Sequence, residues 1–127
     1  MNVVDSCGWL EYFGGGPNAD FFAGPLEATD DSLLVPTLCL YEVFKNILGQ
    51  FGREEAAEKV AVMRQGTVLP LADSLALDAA LLSHELHLPM ADSVILATAR
   101  SRDAVLWTQD AHFEHIDGVR YRGKKHR

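Results

Sequence analysis

Apolar positions along this chain switch between two spacings, short consecutive runs and runs of period three to four. The short runs Asn2–Val4, Leu33–Val35, Thr67–Leu69, Val105–Thr108 and Val119–Tyr121 predict strands. Between them, helical spacing predicts helices at Trp9–Phe13, Ala19–Ala28, from Leu38 to Phe51, at Arg53–Gln65, at Ser74–Leu86 and from Pro89 to Arg102. In the long helix, Leu40, Val43, Phe44, Ile47, Leu48 and Phe51 have core-facing spacing, and Gly52 is the expected stop. In Ser74–Leu86 the apolar anchors are Leu75, Leu77, Leu81 and Leu82, with Asp73 as N-cap. Pro36 is expected to end the second strand, because proline cannot donate to a ladder. Gly14-Gly15-Gly16-Pro17 reads as a loop, and Asp110–His115 as a last helical turn. Strands alternating with helices predict βαβ units, hence an α/β fold with four or five short, mostly parallel strands and helices on both sides.

Composition narrows this picture without changing it. A chain of 127 residues with 48% hydrophobic and 23% charged positions suits one globular domain. The expected division is a domain over residues 1–122 and a basic tail over 123–127. The longest apolar run, Leu33–Tyr41, is interrupted by Pro36 and Thr37 and falls well short of the roughly 20 residues that span a bilayer. No basic region precedes an apolar stretch at the start, so a cytoplasmic protein is expected, with no membrane association. Cys7 and Cys39 lack metal-ligand spacing and read as thiols of a reducing compartment, close enough in sequence to acidic residues to line a site's floor.

The net charge of −7 is unevenly spread. Residues 1–99 carry four basic against fourteen acidic groups, whereas residues 100–127 carry seven basic (Arg100, Arg102, Arg120, Arg122, Lys124, Lys125, Arg127) against four acidic. A basic C-terminal stretch beside an acidic body suits a phosphate backbone, although for Gly123–Arg127 taken alone a solvated tail is the favoured reading.

Four acids stand where a parallel sheet exposes its carboxyl edge. Asp5 follows the first strand and Asp110 the fourth, while Glu42 and Asp92 are placed in the first turns of helices facing them. Singly, each has an ordinary explanation: Asp5 and Asp110 as turn or capping residues, Asp92 as an anion in a helix's first turn. Glu42, between Tyr41 and Val43 in a helix expected to be largely buried, needs a partner. Two carboxylates about 5 Å apart repel by about 3 kcal/mol at an effective dielectric near 20. A hard divalent cation, Mg2+ or Mn2+, relieves four such groups and suits metal-dependent phosphodiester hydrolysis. Thr108 and Ser6 are candidates to orient these carboxylates, or to make ordinary strand-end hydrogen bonds. The pairs His84/His87 and His112/His115 read as surface histidines, with His112 placed to reach a substrate phosphate.

The strings Val3-Val4-Asp5-Ser6, Val35-Pro36-Thr37 leading to Tyr41-Glu42-Val43, Leu88-Pro89-Met90-Ala91-Asp92-Ser93 and Trp107-Thr108-Gln109-Asp110-Ala111-His112-Phe113 resemble the PIN-domain nucleases. More narrowly, they resemble the VapC-type ribonuclease toxins of bacterial toxin–antitoxin pairs, over nearly the whole chain. The resemblance implies an α/β/α sandwich with a mostly parallel sheet, and metal-binding acids at Asp5, Glu42, Asp92 and Asp110 with Thr108 as polar support. It implies RNA cleavage with Mg2+ or Mn2+, a homodimer, and a small antitoxin lying over the acidic pocket. Many relatives carry a further Asp two residues after the last acid; here that place is His112, which favours one tightly bound ion.

Three rivals compete with this reading. A receiver-type signalling domain requires an acidic pair after the first strand and an Asp ending the third, where this chain has Leu69-Pro70-Leu71. A haloacid-dehalogenase-type phosphatase requires Asp-x-Asp, and Asp5-Ser6-Cys7 lacks the second acid. A non-catalytic binding module on the same fold remains open.

Overall fold

The computed structural model describes residues 1–125, and its strands and helices alternate as the periodicity predicts. In chain order they are β1 (Asn2–Val4), α1 (Ser6–Phe13), α2 (Ala19–Leu26), β2 (Leu33–Pro36), α3 (Thr37–Phe51), α4 (Arg53–Met63), β3 (Thr67–Leu69), α5 (Asp73–Leu86), α6 (Met90–Ser101), β4 (Val105–Thr108) and β5 (Val119–Tyr121). A 3-10 turn, Ala111–Phe113, lies between the last two strands. The five strands form one sheet in the order β3-β2-β1-β4-β5, and every neighbouring pair is parallel. The first three strands step one way across the sheet and the last two step the other way. Right-handed crossovers therefore place helices on both faces. The order reverses between β1 and β4, where Val3 lies in register with Leu106 and Val4 with Trp107. A crevice opens at the carboxyl ends of such a pair.

A sheet covered on both faces needs strands that are apolar on both sides. Val3, Val4, Leu34, Val35 and Leu106 are accordingly buried completely, beneath Trp9, Phe22 and Phe113. Gly8 marks the tightest approach of helix to sheet. A Cβ there would come within 2.6 Å of the Phe22 ring and 2.7 Å of Val4, so only glycine lets α1 lie this close. Gly52, with φ of 92°, turns the chain from α3 directly into α4.

Several boundaries differ from expectation. Helix α1 begins at Ser6 rather than Trp9, because the Asp5 carboxylate accepts from the Ser6 amide and starts the helix immediately after the strand. Helix α2 ends at Leu26, two residues before the expected Ala28. Strand β2 continues through Pro36, which is in register with Leu69, and α3 starts at Thr37. Asp73 is not the N-cap of α5: Ala72 takes that position and the helix start has no side-chain cap. Leu77 and Leu81 of α5, and Leu48 and Phe51 of α3, are exposed rather than core-facing; Leu75 and Leu82 do pack inward. Helices packed on only one side bury a narrower stripe than a leucine-rich sequence suggests.

The basic stretch is also divided. Arg100 and Arg102 lie at the end of α6, the edge opposite the Asp110 end of β4. His126 and Arg127, part of the expected basic tail, lie outside the described residues. No helix among the described residues is long and apolar enough to cross a membrane.

Candidate active site

Topology carries the four acids to one edge of the sheet. Asp5 directly follows β1, Asp110 lies two residues beyond β4, and Asp92 is in the first turn of α6. Glu42 stands one turn deeper than expected, as the sixth residue of α3. It is half-buried rather than enclosed.

Asp5 is the fixed member of the group. Its Oδ1 accepts from the Ser6 amide at 2.8 Å, and its Oδ2 accepts from Thr108 Oγ1 at 2.8 Å and from Cys7 Sγ at 3.4 Å. Thr108, fully buried, also accepts from the Asp110 amide at 2.9 Å, so one hydroxyl ties the ends of β1 and β4 together. Ser6 Oγ donates to Glu42 Oε1 at 2.7 Å, joining α1 to α3. Both supporting hydroxyls contact acids, but not the ones beside them in sequence: Thr108 donates to Asp5 rather than to Asp110, and Ser6 donates to Glu42 rather than to Asp5. Capping and clustering prove compatible, since Asp5 starts α1 and Asp110 caps the 3-10 turn through the His112 amide at 2.9 Å.

Electrostatics tie the same residues together. Burial, with a smaller contribution from the charge of Asp92, raises the Asp5 carboxyl to about 6; the Thr108, Cys7 and Ser6 hydrogen bonds pull it down. Asp92 is raised by burial and then by the charges of Asp110 and Glu42, with His112 acting in the opposite sense. Cys7 is pushed up to about 12 by burial and by Asp5, so it stays a neutral thiol on the site's floor. Cys39 is buried, also held above its ordinary value, and Sγ points at the Val4 carbonyl.

His112 plays a part that sequence reasoning missed. Its Nδ1 lies 2.8 Å from Asp92 Oδ2 and 3.2 Å from Asp110 Oδ1, so the ring bridges two acids. The hydrogen bond to Asp92 and the two nearby negative charges raise its pKa. The available signal was positional, because a 3-10 turn capped by Asp110 folds residue 112 back over its own cap. The Asn18 side chain was also missed: it is buried and bonded to Gln109, beside Asp110.

The donor set fits a hard cation. One carboxylate oxygen from each of Asp92 and Asp110 and one His112 nitrogen lie within 4.8 Å of one another; Asp5 and Glu42 fall outside that compact triple. Glu42 Oε2, Asp92 Oδ1 and Asp110 Oδ2 accept no hydrogen bond from the described residues. Oxygen donors left open beside carboxyls raised chiefly by burial suit a hard divalent cation rather than a thiolate-seeking ion.

The molecule is similar to several solved structures. A toxin–antitoxin complex from Klebsiella pneumoniae contains a chain 21% identical, with a TM-score of 0.77 over 94% of this chain and 96% of that one. VapBC2 from Rickettsia felis, bound to a DNA fragment from its promoter, gives 15% identity and a TM-score of 0.75 over 96% and 97%. The sarcin-ricin loop cleaving toxin VapC20 of Mycobacterium tuberculosis gives 16% and 0.65 over 82% and 85%. At these identities the likeness shows a shared fold. No curated protein sequence matches significantly. The PIN domain family model matches residues 3–119, nearly the whole described chain, and the protein belongs to the PIN domain family.

Proposed function

We propose that this protein is a Mg2+- or Mn2+-dependent endoribonuclease and the toxin of a toxin–antitoxin pair. The observation that carries the reading is the gathering of Asp5, Glu42, Asp92 and Asp110 at the carboxyl end of the β1/β4 crevice, linked by Thr108 and Ser6 and by mutual charge. Membership of the PIN family and likeness to toxin–antitoxin structures and to a sarcin-ricin loop cleaving toxin support it.

Asp5, Asp92, Asp110 and Glu42 would hold the ion, directly or through water. When bound, it offsets their repulsion, lowers the pKa of a water and steadies charge developing on the phosphate. The chain's own residues supply geometry. Thr108 and the Ser6 amide hold Asp5 in one orientation, and Ser6 Oγ fixes one Glu42 oxygen. That fixity reduces the reorganisation needed during reaction. His112 engages one oxygen each of Asp92 and Asp110, leaving fewer carboxylate oxygens for metal, which supports a single ion rather than two.

An antitoxin partner, whose C-terminal segment covers the acidic pocket, is part of this proposal, as is action in the cytoplasm. The homodimer belongs to it too, supported by the apolar residues Leu77 and Leu81 exposed one turn apart on α5. The second reading, a binding module without catalysis, draws on His112, whose ring already engages two of the acids.

The deciding experiment expresses the chain alone and with its adjacent upstream reading frame, with RNA ends mapped. Growth arrest and Mn2+-dependent cleavage are expected for the chain alone, abolished by Asp5→Asn and by co-expression. Cleavage retained in Asp5→Asn would remove Asp5 from the site. No cleavage and no Mn2+ binding by the wild type would favour the binding module.

A further inference from the structure

Two cavities adjoin the acidic bowl and share three residues. One, of about 460 Å3, extends from Leu10 and Ile47 to Cys7, Gln109 and Lys124. The other, of about 490 Å3, runs from Cys7, Gln109 and Asp110 to Tyr121 and Lys124. The two share Cys7, Gln109 and Lys124, and Cys7 in turn contacts Asp5.

The placement of Lys124 is built into the fold. After β5 the Arg122 amide donates to the Thr108 carbonyl at 3.1 Å. Asn18, with no exposed surface, then donates Nδ2 both to Gln109 Oε1 at 3.0 Å and to the Gly123 carbonyl at 3.1 Å. Its own amide is fixed by Glu11 Oε2 at 2.8 Å. One buried side-chain amide therefore joins the loop before α2, the residue preceding Asp110 and the residue preceding Lys124. The neighbouring arginines are engaged elsewhere, Arg120 lying 4.8 Å over the Trp107 ring and Arg122 4.5 Å over Phe21. Lys59, the other cation of the first cavity, pairs with Glu55 at 3.3 Å. Lys124 makes no ion pair among the described residues.

A bowl of carboxylates in a chain of net charge −7 repels a polyanion, so a nucleic-acid strand needs a cation at the rim. We propose that Lys124 binds a backbone phosphate of single-stranded RNA beside the acidic bowl, and that Asn18 is the positioning residue that holds it there. This rests on the ribonuclease reading for its choice of ligand.

The test measures binding rather than turnover. A fluorescein-labelled, mixed-sequence single-stranded RNA is titrated by anisotropy with the full chain in Ca2+ across a NaCl series. Lys124→Ala is expected to weaken binding roughly threefold to tenfold and to lower the salt slope by about 0.7, one phosphate's share on a single strand. Lys124→Arg should bind as the wild type does. Asn18→Ala should reproduce the loss and add nothing on top of Lys124→Ala, which a merely structural role would not do. Should Asn18→Ala fail to fold, the exposed Lys124 variants decide alone.

An unchanged affinity and salt slope in Lys124→Ala overturns the inference. So does a wild type that binds polyglutamate, as an acidic protein segment would bind, but not RNA. Lys124-dependent binding without Mn2+-dependent cleavage would sustain the inference and sink the hydrolytic reading. Cleavage with Lys124-independent binding would do the reverse.

Discussion

Replacing Asp5 by asparagine is expected to stabilise the metal-free protein near neutral pH while removing its cation site. Burial raises the Asp5 carboxyl from 3.8 to about 6 in the folded chain. Well below pH 4 the folded and unfolded states are both protonated there, and the group is neutral in its effect. As pH rises towards 6 the unfolded chain loses the proton first, so stability falls. Above about 6 both states are ionised and the full penalty, about 3 kcal/mol, is present. Asparagine has no such penalty. Its Oδ1 can keep the Ser6 amide, and its Nδ2 can donate to Thr108 Oγ1, which already accepts from Asp110. Allowing for imperfect replacement of that hydrogen bond, a gain of about 1–3 kcal/mol at pH 7.5 is expected. The assay is urea unfolding in EDTA from pH 4 to 8, read as the variant-minus-wild-type difference so that other titrations cancel. The difference should be smallest at pH 4 and grow to its full size by about pH 7. A variant less stable than wild type at pH 7.5, or a difference that ignores pH, would refute the reasoning.

Three further outcomes are expected. Thr108→Val keeps the volume but strips Asp5 of a hydrogen bond and leaves the Asp110 amide without its acceptor; a loss of about 1–3 kcal/mol in urea melts and weaker Mn2+ binding by calorimetry should follow. His112→Asp puts a fifth carboxylate where the imidazole ring now bridges Asp92 and Asp110. It should destabilise the metal-free protein in thermal melts and tighten Mn2+ binding in calorimetry. Gly8→Ala should cost about 1–3 kcal/mol through collision with Phe22 and Val4, whereas Gly24→Ala, with open space around it in α2, should gain about 0.5–1 kcal/mol in the same unfolding assay.

The fold was legible because each strand is a short apolar run bounded by a turn or helix signal, and because a buried parallel sheet leaves little alternative for Val3-Val4 or Leu34-Val35. Helix faces were less legible. Leu77 and Leu81 match Leu75 and Leu82 in type, and only the position of α6 decides which of them is covered. At the site, Asp5, Asp92 and Asp110 were readable from their places at strand and helix ends. Adjacency marked Ser6 and Thr108 as supports but misassigned their partners: Thr108 reaches Asp5 across the β1/β4 pair, and Ser6 reaches Glu42, 36 residues away, because of how α1 meets α3. The His112 bridge and the Asn18 latch were not readable. The first needs the geometry of a 3-10 turn, and the second joins residues 91 and 105 positions apart.

Four carboxylates from four elements are proposed to make one cation site. Anomalous diffraction from crystals soaked in Mn2+ locates such an ion directly. A peak is expected within coordination reach of the Asp5, Asp92 and Asp110 carboxylates, with Glu42 reached directly or through water, and it should be lost in Asp5→Asn crystals. A peak at another place, or none at Mn2+ concentrations that support RNA cleavage, would contradict it.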